Sequence, residues 1–178
     1  DDFYEDGALE TVVGFFRSNP EACFVHGYCD FIDEYGEVIG QHRVNTFDFQ
    51  EFINTTRHIV TPSSFYKRSV VEKVLLDTRG DDFEMMIRIT REFAVHHDDK
   101  VLSRLTIRVG STFVPSEPQK VLQVYRDTYR ISRHYGGSAI SRIALRYYRI
   151  QILMWLHMGY IYGPMMYWWR KIRRMMVP

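Results

Sequence analysis

Between Ala8 and Val109 the hydrophobic pattern switches repeatedly between a helical and a strand period, and a chain built this way layers helices on a sheet. Leu9, Val12, Val13 and Phe16 recur at helical spacing over Ala8–Arg17, and Asn19-Pro20 ends that segment. Cys23–Asp33 is aromatic and β-branched and reads as a strand. Glu34-Tyr-Gly-Glu37 is a turn with Gly36 where a positive φ is needed, and Val38–Val44 returns as the second strand of a hairpin. Phe47–Asn54 reads as a short helix. Ile59–Pro62 is expected to be extended, because the residue before proline avoids the α region, and Ser63–Arg68 continues as strand or turn. Ser69 reads as the N-cap of a helix through Leu75, with Glu72 at the capping-box position. Asp77–Asp82 is a polar loop, Phe83–Phe93 a helix and Val101–Val109 an alternating strand. Pro115 and Pro118 mark a break, after which Lys120–Ser132 and Ser138–His157 read as helices joined through Gly136-Gly137. This order points to an α/β or α+β class with a mixed sheet. Its strand inventory is short for an independent α/β domain, so an N-terminal part is expected to precede it.

The formal net charge of +1 conceals a division at the same break. Residues 1–118 hold 21 acidic and 12 basic residues, a net −9; residues 119–178 hold one acid, Asp127, and 11 bases, a net +10. We therefore expect a first domain over 1–118 and a basic, aromatic helical tail over 119–178. With 46% hydrophobic and 15% aromatic residues the chain is not disordered, and 11 Gly and 6 Pro exclude collagen-like and low-complexity classes. Asp1 is not an initiator methionine and no charged-then-apolar leader follows it, so the sequence is expected to begin inside a longer chain or after a cut. Cys23 and Cys29 fall in one strand, where six residues separate them by ~20 Å, far beyond disulfide reach. Two buried free thiols are expected, which fits a reducing, cytosolic compartment.

Two acidic motifs carry candidate chemistry. Asp1-Asp2 offers adjacent carboxylates of the kind that bind a hard divalent cation with waters and substrate phosphates; the same pair also serves as a solvated turn. In Gly80-Asp-Asp-Phe-Glu84 three carboxylates stand before or within the first turn of a helix, where the dipole favours anions. One of them could act as a general base on a substrate hydroxyl, or Asp81 or Asp82 could simply cap the helix. His96-His97-Asp98-Asp99 has ligand-type side chains, but adjacent histidines rarely point at one metal, and a surface loop is expected. No Gly-rich phosphate loop, Cys/His zinc spacing or Ser-His-Asp arrangement is recognisable.

Taken in order, the segments resemble the C-terminal half of a family 2 glycosyltransferase with a GT-A fold. Asp1-Asp-Phe-Tyr-Glu-Asp-Gly-Ala-Leu9 resembles the family's metal motif S-D-D-x-Y-x-x-G-A-L. Asn19-Pro-Glu21 and Val25–Gly40 resemble its strand, turn and return strand. Thr61-Pro-Ser-Ser-Phe-Tyr-Lys-Arg-Ser69 is similar to Q-P-x-x-F-F-R-R-S near the acceptor, and Asp82-Phe-Glu-Met-Met-Ile-Arg-Ile89 to D-Y-D-L-W-L-R-L, which carries the base. Leu105-Thr-Ile-Arg-Val-Gly-Ser111 resembles the Y-R-x-H-P-G-S turn, with Val109 where many members have His. Thr61 replaces a frequent Gln, and Asp77–Asp82 is about three residues shorter than the family pattern.

The resemblance implies a partial GT-A-like mixed sheet with flanking helices, followed by a helical tail. It implies inverting transfer of a sugar from a nucleotide-sugar, UDP- or dTDP-linked, to a hydroxyl on a glycan or lipid-linked acceptor in envelope polysaccharide or glycolipid synthesis. Asp1 and Asp2 fall on the metal and diphosphate motif for Mg²⁺ or Mn²⁺. Asp82 falls on the base, with Asp81 and Glu84 as neighbours that assist or replace it, and Thr61, Pro62 and Ser63 fall on the substrate side. Because the family's nucleotide-binding strands precede the metal motif, this chain alone is expected to be incomplete and inactive.

Between Arg149 and Arg170 lie 20 residues without a formal charge, including Trp155, Trp168 and Trp169, and Arg170-Lys-Ile-Arg-Arg174 follows. The length matches a bilayer span, yet Gln151, His157, Gly159, Gly163 and Pro164 interrupt it. An interfacial arrangement with Trp and Tyr at headgroup level, a full span, and helices packed on the first domain all remain open. The bases flank an uncharged segment instead of interleaving with polar sequence, which favours a membrane surface over nucleic acid as partner. The expected location is cytoplasmic, peripheral at the inner face of the cell membrane. The alternative is a non-catalytic membrane-surface binding module.

Overall fold

The computed structural model describes residues 2–55, 59–74, 82–108 and 117–156. Asp1, the Asp77–Asp81 loop, Val109 and the tail beyond Leu156 lie outside the described residues. The described strands are β1 (Phe3–Tyr4), β2 (Phe24–Ile32), β3 (Val38–His42), β4 (Ser64–Tyr66) and β5 (Val95–Thr106). They form a mixed sheet in the order β1-β5-β2-β3, with β4 also paired to β2. The helices are α1 (Ala8–Ser18), α2 (Phe49–Asn54), α3 (Arg68–Val74), α4 (Asp82–Glu92), α5 (Pro118–His134) and α6 (Arg142–Trp155). β1 runs antiparallel to β5 with Tyr4 opposite Ser103, and β4 antiparallel to β2 with Val25 opposite Phe65.

Two compact units interleave along the chain. The first comprises Asp1–Asp30, Gln41–Phe52 and Arg57–Leu105; the second comprises Phe31–Gly40, Ile53–Thr56 and Thr106–Pro178. In the first, Ala8 and Val12 of α1 bury against Val25 of β2 and Leu102 of β5, with Phe15, Phe16 and Phe65 around them. Removing these side chains from water supplies the local driving force, about 1.5–3 kcal/mol for each fully buried large aliphatic. β2 is buried over most of its length. It approaches β5 so closely that a Cβ on Gly27 would stand 2.5 Å from the Leu102 side chain and 2.8 Å from the Lys100 carbonyl oxygen.

In the second unit α5 and α6 pack through Val121 and Ile150, with Leu122, Tyr125, Leu153 and Met154 beside them. Ser141 caps α6 by accepting from the Ala144 amide at 3.1 Å. The hairpin turn is held by Asp33, whose Oδ1 accepts from the amides of Tyr35 (2.9 Å) and Glu37 (3.0 Å). Gly36 there has φ 82°, the left-handed conformation the sequence required of it.

Four local expectations need correction. Val60 is extended, but Thr61-Pro62-Ser63 closes a 3-10 turn with the Ser63 amide donating to the Val60 carbonyl at 3.0 Å. Proline tolerates this first-turn position because its fixed φ suits it and its missing N–H is not needed. Ser69 does not cap α3, which begins at Arg68; Glu72 pairs with Arg68 at 3.2 Å instead of forming a capping box. β5 begins at Val95, so His96-His97-Asp98-Asp99 lies in a strand and not on a loop. Pro118 opens α5 instead of merely breaking the chain. Among the described residues no helix is long and apolar enough to cross a membrane.

Candidate functional site

The first unit draws three sequence-selected segments together. Asp82 opens α4, at the helix end whose dipole attracts a carboxylate. Its side chain is exposed, and its Oδ2 accepts a hydrogen bond from the Thr61 hydroxyl at 3.3 Å. Thr61 belongs to the 3-10 turn, and β1, the strand that follows Asp2, packs on that same turn. Tyr4 of β1 meets Phe65, with ring centroids 5.4 Å apart. β1, the Thr61–Ser63 turn and the head of α4 are thus neighbours, although up to 79 residues of sequence separate them.

Glu84, Pro62, Ser63 and Asp2 each have a definite placement. Glu84 is half-buried and receives the Arg88 guanidinium one turn later, at 2.7 Å from Nη2 and 3.2 Å from Nε. Its carboxylate is therefore neutralised within α4, whereas that of Asp82 faces solvent. Pro62 is half-buried in the turn. Ser63 is fully buried and donates to the Tyr28 carbonyl at 2.9 Å. Ser103 Oγ lies 2.5 Å from Ser63 Oγ and 3.4 Å from Cys29 Sγ. Ser63 thus ties β2 and β5 to the turn that presents Thr61. Burial pushes the Cys29 thiol up, so it is a poor nucleophile, and among the described residues Cys23 and Cys29 are both free. Asp2 is exposed, while Asp1 and Asp81 lie outside the described residues.

The donor chemistry of Asp2 suits Mg²⁺ or Mn²⁺, since Mg²⁺ commonly takes one or two carboxylates and completes its shell with water and substrate phosphate. Among the described residues no group of three His, Cys, Asp or Glu side chains forms a self-contained metal cage. His96 and His97 point to opposite faces of β5. His96 meets Phe15, and His97 meets His26 and Tyr28.

A polar cluster on the sheet was not singled out from the sequence. Arg43 binds buried Asp30 at 2.7 Å and lies 4.7 Å over the Tyr28 ring. The Tyr28 hydroxyl donates to Asp99 at 3.2 Å, and the phenol is pushed up by burial and by that carboxylate. His26 is buried, 4.9 Å from His97 between ring centroids. Burial, then repulsion from His97 and His42, lowers its pKa to about 4. The available signal was the period-two series His26, Tyr28, Asp30, polar side chains on one face of an otherwise apolar strand.

No protein-family model matches the chain, and no curated protein matches it.

Proposed function

We propose that the first unit is the acceptor-side part of a metal-dependent glycosyltransferase that transfers a sugar, with inversion, from a UDP- or dTDP-linked donor to a hydroxyl on a glycan or lipid-linked acceptor. The observation that supports this is the Thr61–Asp82 hydrogen bond on a turn that also contacts β1, which brings the strand following the acidic motif to the turn that holds an exposed carboxylate at a helix head. Asp82 takes the proton of the acceptor hydroxyl as that oxygen bonds to the anomeric carbon and the bond from that carbon to the diphosphate oxygen breaks. Thr61 holds one oxygen of Asp82 and leaves the other for the acceptor. Asp81 is the neighbour that could assist, and the Arg88 pair keeps Glu84 from competing. Mg²⁺ or Mn²⁺, held at Asp1 and Asp2, would offset the charge developing on the leaving diphosphate.

The test is nucleotide-sugar hydrolysis and transfer by the full-length protein. Activity is expected to vanish with a chelator and return with Mg²⁺ or Mn²⁺. Asp82→Asn should lower kcat by at least about 100-fold, and Thr61→Val by about tenfold. An Asp82→Asn protein as active as its parent overturns the base assignment.

The chemistry fits envelope polysaccharide or glycolipid synthesis by an enzyme held peripherally at the inner face of the membrane. A second reading, a non-catalytic membrane-surface module, is favoured by the exposed apolar face of α6. It requires vesicle binding with no metal-dependent turnover in any form of the protein.

A further inference from the structure

We propose that the outer face of α6 is an interfacial anchor that inserts into an anionic lipid surface, with Ile152 and Trp155 entering the acyl boundary and Arg142 and Arg149 at the headgroups. This deepens the membrane placement above and does not depend on the transferase reading. Vesicle binding reports on the anchor, and metal-dependent turnover reports on the enzyme.

Leu145, Tyr148, Ile152, Trp155 and Leu156 are all exposed, Trp155 at 79% and Ile152 at 58%. At 3.6 residues per turn they fall within an arc of about 100°, one continuous apolar stripe. Ile143 and Ile150 are buried on the side of α6 opposite this stripe, where Ile150 packs on Val121 of α5. Tyr148 is braced by the Tyr129 hydroxyl of α5 at 3.0 Å, which gives the stripe a rigid backing.

Charge selects the occupant. Exposed Arg142 and Arg149 stand along one edge of the stripe, with half-buried Arg146 behind them. Between residues 119 and 156 there are seven bases and one acid, Asp127. A neutral apolar groove on a protein would match the Leu and Ile side chains but leave this field uncompensated. An anionic bilayer matches both parts. Trp and Tyr favour the headgroup level, aliphatic side chains reach ~5–10 Å into the boundary, and guanidinium groups meet lipid phosphate.

The full chain is mixed with phosphatidylcholine vesicles, with or without about 30% phosphatidylglycerol, at about 0.05 M and 0.5 M salt. Co-sedimentation is expected with the anionic vesicles, weakened by salt. Ile152→Ser/Trp155→Ser, both at exposed positions, should keep the parent's circular dichroism and lose binding at least about tenfold. Arg142→Gln/Arg149→Gln should lose about fivefold of the preference for anionic lipid. In a Trp168→Phe/Trp169→Phe protein, Trp155 emission should shift to the blue on anionic vesicles and be quenched by chain-brominated lipid. Three results overturn the proposal: no binding at low salt, binding unchanged by Ile152→Ser/Trp155→Ser, or Trp155 emission that ignores the lipid. A dimer that Ile152→Ser/Trp155→Ser dissolves, without vesicle binding by the parent, assigns the face to a second copy and overturns it as well.

Discussion

His26 stands in β2 at 2% exposure, facing the His97 ring and within the field of His42, while Tyr28 and Asp99 complete the polar surroundings of His97. The folded chain keeps His26 neutral down to about pH 4, whereas an unfolded histidine titrates near 6.5. Unfolding between those values takes up a proton. The stability this histidine contributes is therefore complete above pH 6.5 and is lost as the pH falls toward 4, by about 3 kcal/mol across the whole window. Urea midpoints measured at successive pH values should fall on acidification through this range. In His26→Gln that slope should flatten, even if the variant is less stable at neutral pH. A slope unchanged in His26→Gln would move the acid sensitivity to another group.

At the scale of elements, a tight constraint is the approach of β2 to β5 at Gly27. Gly27→Ala places a methyl against the Lys100 carbonyl, and backbone cannot retreat as a side-chain end can. The expected loss is about 1–3 kcal/mol, read as a lower urea midpoint at unchanged slope; a wild-type midpoint would mean that the strands do not meet this closely. The elements legible in the sequence are those whose causes are local. α1 was legible from helical spacing, although its buried face is Ala8 and Val12 with Phe15 and Phe16 beside them, while Leu9 and Val13 are exposed. The hairpin follows from a turn in which Asp33 and Gly36 supply both the amide acceptor and the positive φ. The start of β5 was not legible, because His96 to Lys100 carries no apolar alternation and is ordered by strands distant in sequence. Ser69 shows the reverse failure: the capping-box letters are present, but the turn from β4 starts the helix two residues early. At the candidate site the residue types of Thr61 and Asp82 were legible, while the bond joining them was not. It depends on the Pro62 turn closing as 3-10 and on Ser63 anchoring that turn to Tyr28.

Over the whole molecule, a net charge of +1 and an isoelectric point near 8.0 describe neither end of the sequence. Coulomb forces are screened within about 8 Å at physiological ionic strength, so an approaching surface responds to the nearest charges and not to their sum. Residues 119–178 carry +10 and residues 1–118 carry −9, so the charge an approaching surface meets depends on which residues stand nearest to it. At pH 8, where the summed charge is close to zero, an evenly charged protein would pass through a cation exchanger. This chain should be retained at about 0.05 M salt and released by about 0.3 M, as the field of 11 bases is screened. Arg142→Gln/Arg149→Gln should elute earlier, because it removes two exposed bases beside the α6 stripe. Flow-through of the parent at low salt would mean that the acids of residues 1–118 neutralise the basic segment within the folded protein, and that its charge is not presented to any outside surface.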